Sequence, residues 1–118
     1  AWLDPVVSLA IVVVIAICTW GLLRDSVRMS LDAVPRGFDL EALRAFLLTQ
    51  PGVSDVHDLH VWSLSTTETA LTAHLVMPTA ADGDGFLDRV AHELEERFGV
   101  GHATLQVERG ACRHGCDA

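Results

Sequence analysis

Between Pro5 and Leu23 the chain carries no charged side chain. The run is Pro5-Val-Val-Ser-Leu-Ala-Ile-Val-Val-Val-Ile-Ala-Ile-Cys-Thr-Trp-Gly-Leu-Leu23. At about 1.5 Å per residue, a helix of this length spans roughly 28 Å, close to the hydrocarbon thickness of a bilayer. A helix that is apolar on all sides must be covered on all sides, by protein or by lipid. The whole chain is 118 residues, enough for one small domain that could hardly wrap such a segment. A membrane-spanning helix is therefore expected, with the buried helix of a soluble protein as the alternative. Pro5 suits a first helical turn and Asp4 an N-cap. Trp2 and Trp20 fall near the two ends, where indole rings favour the lipid–water interface. The basic leader and small-residue cleavage site of a signal peptide are both missing.

Charge divides the chain in two. All eight arginines and all but one of the 16 acidic residues follow Leu23, within a net charge of -8. The mean hydropathy of +0.33 averages a neutral helix with an acidic domain. An acidic surface argues against a nucleic-acid partner, which needs a basic face. Arg24 and Arg28 follow the apolar run and only Asp4 precedes it, so the positive-inside rule puts the C-terminal part in the cytoplasm. The run has no His, Asp or Glu, hence no strong ion ligand at mid-membrane depth. Cys18 and Thr19 read as small packing residues. The helix is expected to continue through Val27, Leu31 and Val34, with Arg28 and Asp32 as an i,i+4 pair, until Val34-Pro-Arg-Gly37 stops it. Residues 1–34 thus form the membrane helix and its cytoplasmic extension. Residues 35–118 form a domain with a flexible tail from about 109. The missing initiator Met is expected of a fragment or a processed chain.

Within the domain, Asp39 reads as the N-cap of a helix whose apolar stripe is Leu40, Leu43, Phe46 and Leu47, ended by Gln50-Pro-Gly52. Val56–Leu64 reads as a strand. Thr69–Met77 alternates, with Leu71, Ala73, Leu75 and Met77 on one face and Thr72, His74 and Val76 on the other. Asp82-Gly-Asp-Gly85 is a loop, and Phe86, Leu87, Val90, Ala91, Leu94 and Phe98 mark a second helix. Gly99-Val-Gly101 turns the chain into a third strand, Ala103–Glu108. The order αββαβ predicts an α+β fold, an open-faced sandwich like a ferredoxin fold lacking its first strand. The helices would cover one sheet face. The other, with Thr72, His74, Gln106 and Glu108, is left for solvent, ligand or a partner. So small a core would gain from dimerisation or metal binding.

Six histidines and two of the three cysteines fall in this domain. Imidazole, carboxylate and thiolate are together the ligand set of Zn²⁺ and similar ions. His57-Asp-Leu-His60 opens the first strand, His74 lies mid-strand, and Glu108 ends the last one. Cys112-Arg-His-Gly-Cys116 closes the chain. Its spacing lets both sulfurs reach one ion but matches no zinc knuckle, and a disulfide is disfavoured in the cytoplasm. His57, His74 and Glu108 are the best placed candidates, each at a strand end or on a sheet face. His102, at the turn into the last strand, reads equally as ligand or surface. His60 alternates with Trp62 and is also readable as a structural histidine, and His92 as a surface one.

These residues also carry a resemblance. His57-Asp-Leu-His-Val-Trp-Ser-Leu64 resembles a segment of the cation diffusion facilitator family of zinc transporters. So do Trp2-Leu-Asp-Pro-Val-Val-Ser-Leu9, Asp32-Ala-Val-Pro35, Ala73-His-Leu75 and His102-Ala-Thr-Leu-Gln-Val-Glu108, in family order along the chain. The resemblance implies that Pro5–Leu23 is the last of six transmembrane helices of an integral membrane protein of the bacterial inner-membrane type. It implies that the remainder is a cytoplasmic domain of metallochaperone-like fold that homodimerises and binds metal. The complete protein would exchange Zn²⁺, Cd²⁺ or Co²⁺ for protons, with the other helices as partners. It implies metal ligation by His57, His74 and Glu108, joined by Cys112 and Cys116. His102 is included in this set, although some relatives carry the ligand one position earlier, where this chain has Gly101. At Gln106 some relatives have a histidine. The family's transport ligands, on two other helices, are not in this chain.

The expected mechanism follows from charge. Two acidic domains repel, bound cations neutralise part of that charge, and closure of the dimer moves the membrane helices. The rival reading is a membrane-tethered module for a small organic ligand, for which no Gly-rich phosphate loop speaks. An enzyme is not expected. No partnered nucleophile is visible, and His57 and Asp58, adjacent on a strand, should point to opposite faces.

Overall fold

A computed structural model describes residues 1–79 and 83–110. The chain divides into two compact units, Ala1–Leu31 and Asp32–Ala118. The first is a single helix, α1, Leu3–Ser30. None of its residues is buried by protein, so its all-round apolar surface still calls for the cover that a bilayer would give. It is long and apolar enough to cross a membrane. Its ends differ from the sequence expectation. Trp2, not Asp4, is the N-cap, and Asp4 lies in the first turn, where its charge still complements the helix dipole. The helix ends at Ser30 rather than Val34. Asp32 takes a φ of 49°, a left-handed conformation that no helix continues through.

The second unit is an α+β open-faced sandwich. Helix α2, Leu40–Leu48, begins where Asp39 accepts a hydrogen bond from the Ala42 amide at 2.9 Å, the N-cap expected of an aspartate there. Strands β1, Asp55–Ser63, and β2, Thr69–Val76, pair antiparallel. Helix α3, Gly83–Phe98, crosses over to β3, Val100–Glu108, which pairs parallel to β2. The sheet order is β1-β2-β3, so β2 is central. β3 starts three residues before the expected Ala103. The turn is made by Gly99 alone (φ 69°), whose amide bonds the Glu95 carbonyl at 3.0 Å, and Val100 is already in the strand and buried.

The helices cover one sheet face. Leu43, Phe46 and Leu47 of α2, and Phe86, Val90 and Leu94 of α3, pack with Val56, Val61, Leu71, Ala73, Leu75 and Val100. Phe46 and Phe98 bring the two helices together, with ring centroids 5.5 Å apart. The alternation of β2 holds from Leu71 to Leu75, with Leu71, Ala73 and Leu75 buried towards the helices and Thr72 and His74 half-buried on the other face, but Val76, expected beside His74 on the open face, is buried.

One irregularity decides what the second face displays. Between His57 and His60 the β1–β2 register shifts by one residue: His57 pairs with His74 but His60 pairs with Thr72. This is a β-bulge, and within it Asp58 has a φ of 48°. Without the extra residue, Asp58 would stand opposite Ala73 and face the apolar core, and Val61 would face outward. The bulge keeps both Val56 and Val61 in the core and turns the charged residue away from it.

Candidate metal centre

Cross-strand partners share a face. His57 stands directly opposite His74, and His74 pairs in turn with Gln106 of β3. Glu108 is two residues beyond Gln106, hence on that same face. Register alone thus brings His57, His74 and Glu108 to one end of the sheet's open face. Each offers a ligand atom within 4.8 Å of the others.

Their contacts are short. Nε2 of His57 and Oε2 of Glu108 share a hydrogen bond at 2.9 Å. Nδ1 of His74 lies 2.9 Å from Glu108 Oε1. The Gln106 amide donates to Oε1 at 2.9 Å. The two imidazoles meet edge to face, centroids 5.0 Å apart. His57 is 7% exposed, while His74 and Glu108 keep 29% and 22% of their side chains open to solvent. Partial desolvation alone would raise the Glu108 pKa, but hydrogen bonds from His57 and Gln106, and the charges of His57 and His74, outweigh it and hold the carboxyl below its ordinary value.

The donor set suits a divalent cation. Two imidazoles and one carboxylate match a three-ligand zinc site with a further position open. A second observation fits the same reading: Nδ1 of His57 is buried without a hydrogen bond, its nearest carboxylate oxygen 3.5 Å away. Buried polar nitrogens are normally paired, and coordination, or a proton shifted by coordination, gives such atoms their partner.

The other sequence candidates lie elsewhere. His102 pairs with Ala70 near the opposite end of β3. Its side chain is 58% exposed, with Glu68 Oε1 3.9 Å away, so the fold does not bring it to the cluster. Cys112 and Cys116 lie outside the described residues. His60 is exposed, and His92 faces Glu96 at 3.5 Å on the surface of α3. Sequence reasoning missed Asp58. The expectation that His57 and Asp58 point to opposite faces fails at the bulge, where Asp58 Oδ2 lies 3.5 Å from His57 Nδ1 and 3.6 Å from His74 Nδ1. The only sequence hint was a charged residue at a position that simple alternation would have buried.

Comparison with known proteins decides the family. The family described as "Cation efflux protein, cytoplasmic domain" matches residues 35–110. The chain belongs to the cation efflux family. The "Cation efflux system protein CzcD" of Alcaligenes sp. (strain CT14) is 34% identical over 113 residues, covering 95% of this chain and 36% of that protein. The "Cadmium, cobalt and zinc/H(+)-K(+) antiporter" of Bacillus subtilis (strain 168) is 28% identical over 116 residues, covering 96% of this chain and 37% of the relative. The chain thus spans about a third of the length of these cation efflux proteins. A solved structure, "Metal-bound C-terminal domain of the CzcD transporter from Cuprividus metallidurans", superposes with a TM-score of 0.54 at 35% identity, covering 59% of this chain and 97% of that one.

Proposed function

We propose that this chain is the last transmembrane helix and the cytoplasmic regulatory domain of a divalent-cation efflux transporter, with Zn²⁺ the principal ion and protons the counter-ion in the complete protein. The observation that carries the reading is the convergence of His57, His74 and Glu108, with Nδ1 of His57 buried and without a hydrogen bond, in a chain of the cation efflux family. Cd²⁺ and Co²⁺ suit the same donors, and the relative from Bacillus subtilis is described by those ions together with zinc. Cys112 and Cys116 are further candidate donors from the tail. α1 is the membrane span, with Arg24 and Arg28 on the cytoplasmic side.

The chain's own residues set how such a site responds. Glu108, its pKa lowered, presents an anionic oxygen without first having to lose a proton at neutral pH. His57 and His74 ligate only as neutral imidazoles, so protons compete with the cation for their ring nitrogens and cation affinity falls on acidification. Cation charge offsets part of the acid excess that keeps two domains apart, and homodimer closure is the output. The role is binding and regulation rather than catalysis.

The test is a Zn²⁺ titration of the 118-residue chain in detergent, followed by sedimentation and by thermal melting. Micromolar zinc is expected to tighten the dimer and raise the melting temperature. No change in either would overturn the proposal.

A further inference from the structure

The bulge in β1 brings a second carboxylate to the metal cluster, on the side of His57 that Glu108 does not occupy. Glu108 engages Nε2 of His57 at 2.9 Å. Asp58 Oδ2 faces the other nitrogen, Nδ1, at 3.5 Å. We propose that Asp58 is the positioning residue of His57: it accepts a hydrogen bond from Nδ1–H when a divalent cation occupies Nε2, and so holds the ring in its ligating orientation. The proposal rests on the metal-binding reading above and adds a residue to it.

The argument is one of proton counting. A neutral imidazole carries one N–H. With the carboxylate of Glu108 against Nε2, the proton sits on Nε2, and Nδ1 is left as a bare acceptor facing a second carboxylate. That explains why Nδ1 of His57 is buried without a hydrogen bond although an oxygen lies so near. A cation needs the Nε2 lone pair. The ring then carries its proton on Nδ1, and Asp58 is the carboxylate beside it. A span of 3.5 Å exceeds a good N–H···O contact by roughly half an ångström, so the pair closes by about that much on binding. Ligating histidines almost always donate their second N–H to such a partner. The roles do not duplicate. His74 Nδ1 is 3.6 Å from Asp58 but 2.9 Å from Glu108, so His74 has the nearer carboxylate in Glu108.

The backbone supports a purpose beyond the turn itself. Asp58 holds a φ of 48°, where glycine is unstrained and aspartate is merely tolerated. A residue needed only to make the bulge would serve better as glycine.

Two variants of the 118-residue chain in detergent micelles separate the roles, with Zn²⁺ alone as the probe. Asp58→Gly keeps the backbone conformation and removes the carboxylate. Asp58→Asn keeps an acceptor oxygen. Asp58→Gly is expected to melt no lower than wild type in chelator, yet to bind zinc about 10–100-fold more weakly in competition with a chelating dye. Asp58→Asn is expected to recover most of that loss. In the zinc-loaded wild type, ¹⁵N-histidine spectra are expected to show His57 protonated at Nδ1. Unchanged zinc affinity in Asp58→Gly, or a zinc-loaded His57 protonated at Nε2, would overturn the proposal while leaving the metal site standing. A wild-type chain that takes up no zinc overturns the metal reading itself, before any variant is compared.

Discussion

Replacing His57 by leucine separates its proposed role as a ligand from its role in packing. The imidazole is 7% exposed, it lies edge-on to His74, and one of its nitrogens is buried without a partner. Leucine has a similar volume and leaves no polar atom to satisfy, while Glu108 and His74, 22% and 29% exposed, regain water. The variant loses the 2.9 Å bond to Glu108, but that carboxylate is open to water rather than left buried and unpaired, so the metal-free variant should lie within about 1.5 kcal/mol of wild type. Zinc changes the comparison. At free zinc 100 times the dissociation constant, binding stabilises the wild type by about 2.7 kcal/mol. A domain of this size melts roughly 4–8 °C higher per kcal/mol, which predicts a zinc-induced rise of about 10–20 °C. Losing one of three donors should cost at least as much as losing an outer-shell partner, which weakens binding by up to about 100-fold, leaving a gain of about 0.4 kcal/mol at most and a rise of no more than roughly 2–3 °C. The assay is thermal melting by circular dichroism, each protein run in chelator and in the same free zinc. Equal zinc-induced shifts in the two proteins would refute the assignment of His57. A metal-free variant that is grossly destabilised would refute the packing argument.

Three further outcomes follow from the geometry. Glu108 has a folded-state pKa below its ordinary 4.5, so its contribution to the metal-free fold is fully present above that value and is lost as pH falls through the lowered one. Glu108→Gln should therefore flatten the acid limb of stability measured in chelator, and an unchanged acid limb would contradict it. Leu75→Ala, at a position 0% exposed between the sheet and the helices, should cost about 2–5 kcal/mol in urea unfolding. Val14→Arg, near the middle of α1, should penalise membrane insertion by about 2.5–3.5 kcal/mol in a glycosylation-mapping assay, whereas a helix that does not span would show no such penalty.

The legible parts of this fold are those where side-chain type alone dictates position. The β2 alternation of Leu71, Ala73 and Leu75 against Thr72 and His74 could be read directly, because a half-buried strand allows no other arrangement. Asp39 was readable as a cap because its carboxylate has an orphan amide to satisfy three residues on. The site was legible to the extent that register carries it, since His57 and His74 are cross-strand partners and Glu108 follows the partner of His74 by two. The bulge was not legible. Val56, Leu59 and Val61 are consistent with more than one pairing, and only the packed core selects the one that inserts a residue at Asp58. Nor were the ends of α1, because neither Asp4 nor the Val27–Val34 spacing competes with apolar length or with the left-handed backbone at Asp32. His102 was chosen by residue type at a turn, and the early start of β3 puts it a strand's length from Glu108.

The central claim is that His57, His74 and Glu108 hold one cation on the open face of the sheet. Its most direct test is zinc anomalous scattering from crystals of the zinc-loaded chain. The predicted result is a peak about 2.0–2.2 Å from one nitrogen of each imidazole and from a Glu108 oxygen. Zinc found only at the Cys112–Cys116 tail, or at His102, with these three side chains unligated, would contradict it.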